Sequence, residues 1–265
     1  MGAIPLQFGL LGPIEASHGG TAVAVGTPQC RTVLAVLLLA SRQAVTVATL
    51  RERIWPGSPP ASAVRAIHVY VHRLRQLLGQ FPDDGTGDLP RLVTHSGHSS
   101  DHVSYVLHVA PEAVDVTRCR RLLEEGETAG AAGDPQTALT RYEAALALWR
   151  GEPLAGLALS DYLRSACAGL AEMRLDLRKH RAAALLALGA ASRAADELHD
   201  LHALHRDDET VVVQLARALH AAGAQTRAVR LLTDELARWK RQYGLEPDPL
   251  IRQRDSLVRG GEPAR

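Results

Sequence analysis

The sequence predicts two domains of different class, a small α+β domain followed by an all-α domain. Short β-forming segments punctuated by Gly and Pro occupy residues 4–25, and similar segments return at residues 91–109. Three segments with helical spacing of apolar residues lie between them. From Val116 onward the strand signals disappear and Ala, Leu and Arg dominate. We therefore predict domains over residues 1–110 and 111–260, with a short tail over 261–265.

The composition is that of a globular chain without a strong overall charge. The 265 residues are 46% hydrophobic and carry a formal net charge of +1, so bulk electrostatics does not identify a nucleic-acid partner. The three cysteines are scattered, which predicts neither a disulfide framework nor a metal site. No membrane-length apolar run or signal segment is evident. We expect a soluble cytoplasmic protein, associated with the nucleoid, with no membrane partner.

Nothing in the sequence indicates an enzyme. The nucleotide-binding, hydrolase and metalloprotease motifs that carry recognisable chemistry are missing from it. The expectation is a protein with no catalytic residues, no cofactor and no bound metal.

The elements of the first domain follow in a definite order. After the first strands, Thr27 is placed to cap one helix and Thr46 to cap a second, shorter one. The stretch "PPASAVRAIHVYVHRLRQLL", residues 59–78, predicts a third helix, and residues 91–109 predict a β-hairpin with a polar tip. Strands, three helices and a hairpin in this order are typical of a winged helix-turn-helix.

The third helix has an apolar face and a face suited to DNA. Ile67, Val71, Leu74 and Leu78 share one side at about 100° per residue. No acidic residue occurs from Pro59 to Gln80, as close approach to phosphates requires. The predicted DNA-binding residues of this helix are Arg65, Ala66, Val69, Tyr70, His72, Arg73, Arg75 and Gln76.

Individual roles follow from the position of each side chain on this helix. Arg73 is placed to fork onto guanine N7 and O6, and Val69 to meet a thymine methyl group. Phosphate contacts, which set the register on the duplex, are assigned to the flanks. These flanking residues are Arg65, Tyr70, His72 and Arg75.

Further backbone contacts are predicted outside the third helix. The polar tip of the hairpin offers hydrogen-bond donors for phosphates. The residues assigned to this role are His95, Ser96, His98 and Ser99 in the hairpin, together with Arg31 and Thr46 nearer the N-terminus.

An internal repeat predicts the fold of the second domain. Three glycines are each followed five residues later by alanine and four residues after that by a large side chain. The last two units are 34 residues apart, the period of tetratricopeptide helical repeats. The units comprise Gly133, Ala138 and Tyr142; Gly189, Ala194 and Leu198; and Gly223, Ala228 and Leu232. The predicted fold class is thus an α+β N-terminal winged helix-turn-helix followed by an all-α tetratricopeptide-like helical domain.

Several motifs together resemble one known family. "FGLLGP", "VLAVLLL" and "PPASA" in the first half, and "DVTRCRRLLEEG", "ALALWRGEPLAGL" and "YGLEPDPLIRQ" in the second, resemble the SARP family, the antibiotic regulatory proteins of Streptomyces and relatives. The resemblance implies an OmpR-type winged helix and a bacterial transcriptional activator domain. It also implies binding to direct repeats near promoters of antibiotic clusters, possible pairing of two copies on DNA, and recruitment of RNA polymerase with its sigma factor.

The resemblance assigns one further segment and leaves four departures. It implies that the loop containing Trp55, Pro56, Gly57 and Ser58 faces polymerase. Gln29 stands where the family commonly has lysine, and the hairpin tip is longer and rich in histidine. Tyr70 stands where the family usually has histidine, and His72 stands where it usually has a short polar residue.

Two functions of different class remain open from the sequence. The first is a sequence-specific DNA-binding transcriptional activator. The second is a protein–protein adaptor that uses the tetratricopeptide-like domain, with a winged helix that reads no specific DNA.

Overall fold

A computed structural model of the chain describes residues 6–55, 57–81, 90–95 and 103–259. The chain divides into two compact units. The first comprises residues 1–121 with 147–173, and the second comprises 122–146 with 174–265. The first unit therefore holds a segment, 147–173, that lies well beyond the boundary expected near residue 110. Among the described residues, no helix has both the length and the hydrophobicity needed to span a bilayer.

The first unit opens with the small antiparallel sheet that the sequence predicts. Its strands are β1 (Gln7–Gly9), β2 (Glu15–His18) and β3 (Thr21–Val23), paired in the order β1-β2-β3. The turn between β2 and β3 requires positive φ at Gly19 and Gly20, a conformation in which glycine is not strained. The punctuation by glycine thus fixes where this sheet turns.

Two helices begin at the caps predicted for them. Helix α1 (Pro28–Leu39) begins after Thr27, whose side chain accepts from the amide of Cys30 at 3.4 Å. Helix α2 (Val47–Ile54) begins after Thr46, whose Oγ1 accepts from the amide of Thr49 at 3.1 Å. These side chains satisfy amides that the first turn of a helix leaves without a backbone acceptor.

Helix α3 (Ala63–Leu78) is shorter at its start than the sequence pattern suggests. The two prolines at 59 and 60 precede it, and a residue before proline is displaced from helical geometry. The predicted apolar stripe is confirmed, since each of its side chains is at most 5% exposed. The members of this stripe are Ile67, Val71, Leu74 and Leu78.

A second three-stranded sheet contains the hairpin. The strands β4 (Val45–Thr46), β5 (Arg91–His95) and β6 (Ser104–His108) pair antiparallel in the order β4-β6-β5. The two arms of the hairpin were predicted, whereas β4 was not, because two residues carry no periodicity. Tyr105 of β6 lies opposite both Thr94 and Val45, and its side chain is buried.

A buried carboxylate links the N-terminal sheet to the later part of the first unit. Helix α4 (Asp115–Ala131) begins with Asp115, which is 2% exposed. Its carboxylate accepts from the amides of Leu10 and Leu11 at 2.9 Å and from Nη2 of Arg150 at 3.0 Å. The amide of Arg150 in turn donates to the carbonyl of Leu11 at 2.8 Å. These contacts join segments more than 100 residues apart.

Residues 147–173 of the first unit also contact α2. This segment follows helix α5 (Pro135–Leu146) and includes the start of helix α6 (Asp161–Ala187). The hydroxyl of Ser160 donates to the carbonyl of Arg53 at 2.6 Å, and the Arg53 guanidinium lies 4.0 Å from the centroid of the Tyr162 ring. Residues 160–162 therefore contact the C-terminal end of α2.

The second unit has the helical repeat that the sequence predicts. Its remaining helices are α7 (Ala191–Leu204), α8 (Glu209–Ala221), α9 (Gln225–Tyr243) and α10 (Asp248–Val258). The three repeat glycines adopt positive φ between 76° and 81° at the turns between helices. The alanine and large side chain that follow each glycine are at most 3% exposed, as interlocking helix pairs require. The tetratricopeptide-like fold is confirmed.

The second unit also buries a charged cluster between α7 and α9. Glu235 is 2% exposed; its Oε1 accepts from Nη2 of Arg206 at 2.7 Å and lies 3.2 Å from Nε2 of His202. Its Oε2 accepts from Nε of Arg238 at 2.5 Å. Burial alone raises the pKa of Glu235, but the hydrogen bonds and charges of Arg206 and Arg238 outweigh burial and hold the pKa below its usual value.

Candidate nucleic-acid interface

Helix α3 presents one continuous exposed face. The face carries cationic, polar and small apolar groups together, and Val69 within it is 42% exposed. Within the described part of the chain, neither Arg65 nor Arg73 makes a hydrogen bond or ion pair. The exposed residues in the body of α3 are Arg65, His68, Val69, His72, Arg73, Arg75 and Gln76. The guanidinium donors of Arg65 and Arg73 are therefore available to a ligand.

One flank of this face adjoins the N-terminus of α1 across a concave surface. Arg73 of α3 lines this surface together with Thr27 and Gln29 at the start of α1. Burial raises the pKa of the Cys30 thiol, and the charge of Arg73 partly offsets this rise. Helix N-termini carry partial positive charge and attract anions. The surface is lined by Thr27, Gln29, Ser62, Arg65, Ala66, Val69, Tyr70 and Arg73.

Helix α3 and the loop before it carry positively charged side chains and no negatively charged ones. No aspartate or glutamate occurs between Glu52 and Asp83 in the sequence, so no carboxylate of α3 or of the loop before it opposes a polyanion. Neutralisation of phosphates by such a surface releases counterions, which is the main source of affinity for DNA.

The structure brings most of the predicted helix residues together, with one exception. Ala66 and Tyr70, both half-buried, line the surface next to α1, and His72 and Gln76 lie on the exposed face. Arg75 instead turns toward β5, where its Nε donates to the carbonyl of Leu92 at 2.9 Å. Contact of any of these residues with DNA stays a prediction.

The residues outside α3 that were predicted to contact the DNA backbone differ in exposure and in their existing contacts. His95 is exposed at the end of β5, whereas Ser96, His98 and Ser99 lie outside the described residues. The Thr46 hydroxyl already caps α2, so its oxygen is committed within the domain. Arg31 is half-buried in the first turn of α1.

The loop assigned to polymerase is only partly described. Trp55 is half-buried at the end of α2, and Gly57 and Ser58 are exposed. Gly57 has a φ of +98° with open space around it, so only backbone geometry restricts substitution there. Pro56 lies outside the described residues.

Three residues beside this face were not among the predicted DNA contacts. His68 is exposed on α3 next to the hairpin, and Thr27 and Gln29 line the surface at the start of α1. The Thr27-Pro28 capping pattern places the start of α1, but the distance from this start to α3 is set by packing and has no local sequence signal.

Three helices followed by an antiparallel hairpin, with an exposed carboxylate-free third helix, define a winged-helix protein with the fold of a DNA-binding domain. Each half of the chain also matches a domain of known transcriptional regulators. Residues 114–259, more than half of the chain, match the bacterial transcriptional activator domain. Residues 21–97 match the C-terminal domain of transcriptional regulatory proteins. The chain belongs to the SARP family of regulatory proteins.

Individual relatives share most of this chain. The regulatory protein AfsR of Streptomyces coelicolor is 33% identical over 98% of the chain, which spans only 25% of AfsR. The regulatory protein DnrI of Streptomyces peucetius is 28% identical over 97% of the chain and 93% of its own length. The structure of Mycobacterium tuberculosis EmbR in complex with a low-affinity phosphopeptide superposes with a TM-score of 0.87 at 30% identity, covering 98% of this chain and 67% of EmbR.

Proposed function

We propose that the protein is a sequence-specific DNA-binding transcriptional activator that reads promoter DNA with α3. The observation that carries the proposal is the exposed, carboxylate-free face containing Arg65, Val69 and Arg73, whose two arginines make no hydrogen bond or ion pair in the described part of the chain. In this proposal Arg73 forks onto a guanine edge and Val69 contacts a thymine methyl group. Arg65 and the N-terminus of α1 contact phosphates and fix the register.

The proposal extends to how the bound protein acts. The family resemblance supports binding to direct repeats, with two copies side by side, upstream of genes for a secondary metabolite such as an antibiotic. It also supports a contact between the loop around Gly57 and Ser58 and RNA polymerase with its sigma factor. The exposure of both loop residues is compatible with such a contact.

Selection of bound duplexes from a random pool, repeated at low and moderate salt, tests the proposal. A tandem motif that survives moderate salt is the expected result, because base contacts persist while phosphate contacts weaken with ionic strength. Retention without any motif, lost as salt rises, would instead favour the adaptor function of the helical unit.

Replacing Arg73 by alanine gives a residue-level prediction. We expect a loss of about 1–3 kcal/mol on the selected site and relaxed discrimination at one base position. Arg65→Ala is the matched comparison, because it removes an exposed arginine of the same helix. It should weaken binding to all duplexes alike, and the slope of log affinity against log salt concentration should fall by the amount expected for about one phosphate contact. Titrations of selected and scrambled duplexes measure both. Unchanged binding by Arg73→Ala would place the reading face elsewhere.

A further inference from the structure

Arg75 is anchored to the hairpin at three points. Its Nε donates to the carbonyl of Leu92 at 2.9 Å, and its Nη2 donates to Oγ1 of Thr94 at 2.5 Å. The guanidinium carbon also lies 5.9 Å from the centroid of the Tyr105 ring. Leu92 and Thr94 belong to β5 and Tyr105 belongs to β6, so one side chain of α3 contacts both arms of the hairpin.

A second residue of α3 contacts the same ring. His68 lies seven residues before Arg75, about two helical turns, and therefore on the same side of the helix. The His68 ring meets the Tyr105 ring edge-on, with centroids 6.4 Å apart. Burial raises the pKa of the Tyr105 phenol while the charge of Arg75 opposes this effect, which agrees with a guanidinium held close to the ring.

These contacts depend on the particular shape of the arginine side chain. The planar guanidinium holds its donors in a fixed fork, so Nε and Nη2 can reach a carbonyl and a hydroxyl two residues apart on one strand. A lysine ammonium keeps the charge but presents a single point, and it cannot make both hydrogen bonds in this geometry. Charge alone therefore does not substitute for Arg75.

We propose that Arg75 is a positioning residue that fixes the hairpin relative to α3, rather than a phosphate contact. The proposal rests on the proposed function, because the hairpin matters for DNA only if α3 reads DNA. The arms β5 and β6, when held in place, keep a fixed position beside the face of α3 that reads DNA in this proposal. Loss of Arg75 therefore removes the hairpin contribution while the base contacts of Arg73 persist.

The test compares Arg75→Ala and Arg75→Lys with Arg65→Ala in the full chain. Without DNA, amide hydrogen exchange in β5 and β6 should quicken about tenfold in both Arg75 variants and stay unchanged in Arg65→Ala, since a hydrogen bond to a charged group is lost only in the former. With the selected duplex, hydroxyl-radical footprinting should show loss of protection beside the α3 site in both Arg75 variants. Affinity should fall about tenfold in each.

The opposite outcomes separate the two roles. If Arg75→Lys binds DNA like the wild type, and Arg75→Ala only lowers the salt slope by about one phosphate with unchanged exchange, Arg75 is a phosphate contact and the proposal is wrong. If the wild-type protein selects no DNA motif, the proposed function fails. The exchange comparison then still decides whether Arg75 holds the hairpin, because that measurement contains no DNA.

Discussion

Replacing Asp115 by alanine is expected to lower the free energy of unfolding of the first unit by about 3–5 kcal/mol. The carboxylate is 2% exposed and accepts from two backbone amides and from Arg150. Its removal leaves the amides of Leu10 and Leu11 without their acceptor, and buried donors without partners are costly. Arg150 keeps its ion pair with Glu15 at 2.8 Å, so its charge is not wholly uncompensated.

Urea unfolding measured by tryptophan fluorescence can report on this unit alone. Trp55 and Trp149 belong to the first unit and Trp239 to the second, so a Trp239→Phe background isolates the first. Glu112→Ala is the control, because it breaks a surface ion pair with Arg121 in the same unit, and such pairs contribute little. An unfolding midpoint for Asp115→Ala equal to that of the control would contradict a role for Asp115 in holding the unit together.

Replacing Glu235 by alanine should destabilise the second unit by a similar amount, about 3–5 kcal/mol. The change leaves Arg206 and Arg238 without the buried carboxylate that both contact. The wild type should also show a specific dependence on pH. Because the folded-state pKa of Glu235 lies below its usual value of 4.5, its stabilisation is present above that value and is lost as the pH falls through the folded-state pKa.

Trp239 fluorescence in a background with Trp55→Phe and Trp149→Phe follows the second unit. As the pH is lowered from 7, the unfolding midpoints of the wild type and Glu235→Ala should approach each other, since protonation of the carboxylate removes the same interaction as the mutation. Glu246→Ala serves as the matched control, because Glu246 pairs with Lys240 on the surface of this unit and its loss should leave the midpoint unchanged. Parallel pH profiles for the wild type and Glu235→Ala would exclude Glu235 as the source of the dependence.

The sequence predicts local features of this fold well and long-range ones poorly. The caps at Thr27 and Thr46, the buried stripe of α3 and the repeat glycines each follow from chemistry within a few residues, and all are found. The contact between Leu10 and Asp115 joins residues 105 positions apart, and no periodicity in the sequence predicts it. The contacts that group residues 147–173 with the first unit have no local sequence signal for the same reason.

In the candidate interface, too, the sequence predicts local features but not long-range contacts. Helical periodicity assigned Arg65, Val69 and Arg73 to the exposed face, where the structure has them. Periodicity also grouped Arg75 with the phosphate contacts, because a helical wheel gives the direction of a side chain but not the groups that it contacts in the folded protein. Arg75 donates hydrogen bonds to the carbonyl of Leu92 and the hydroxyl of Thr94. Both lie on β5, a separate stretch of the chain.

The return of residues 147–173 to the first unit has a consequence during protein synthesis. The N-terminal strands leave the ribosome early, but the partners of Leu10 and Leu11 are made only when Asp115 and Arg150 are reached. At about 5–20 residues per second, the step from residue 110 to residue 173 takes roughly 3–13 s. Until the chain has been made as far as residue 173, the nascent winged helix lacks its full set of these contacts, so the first unit should reach its stable form only after more than half of the chain has been synthesised.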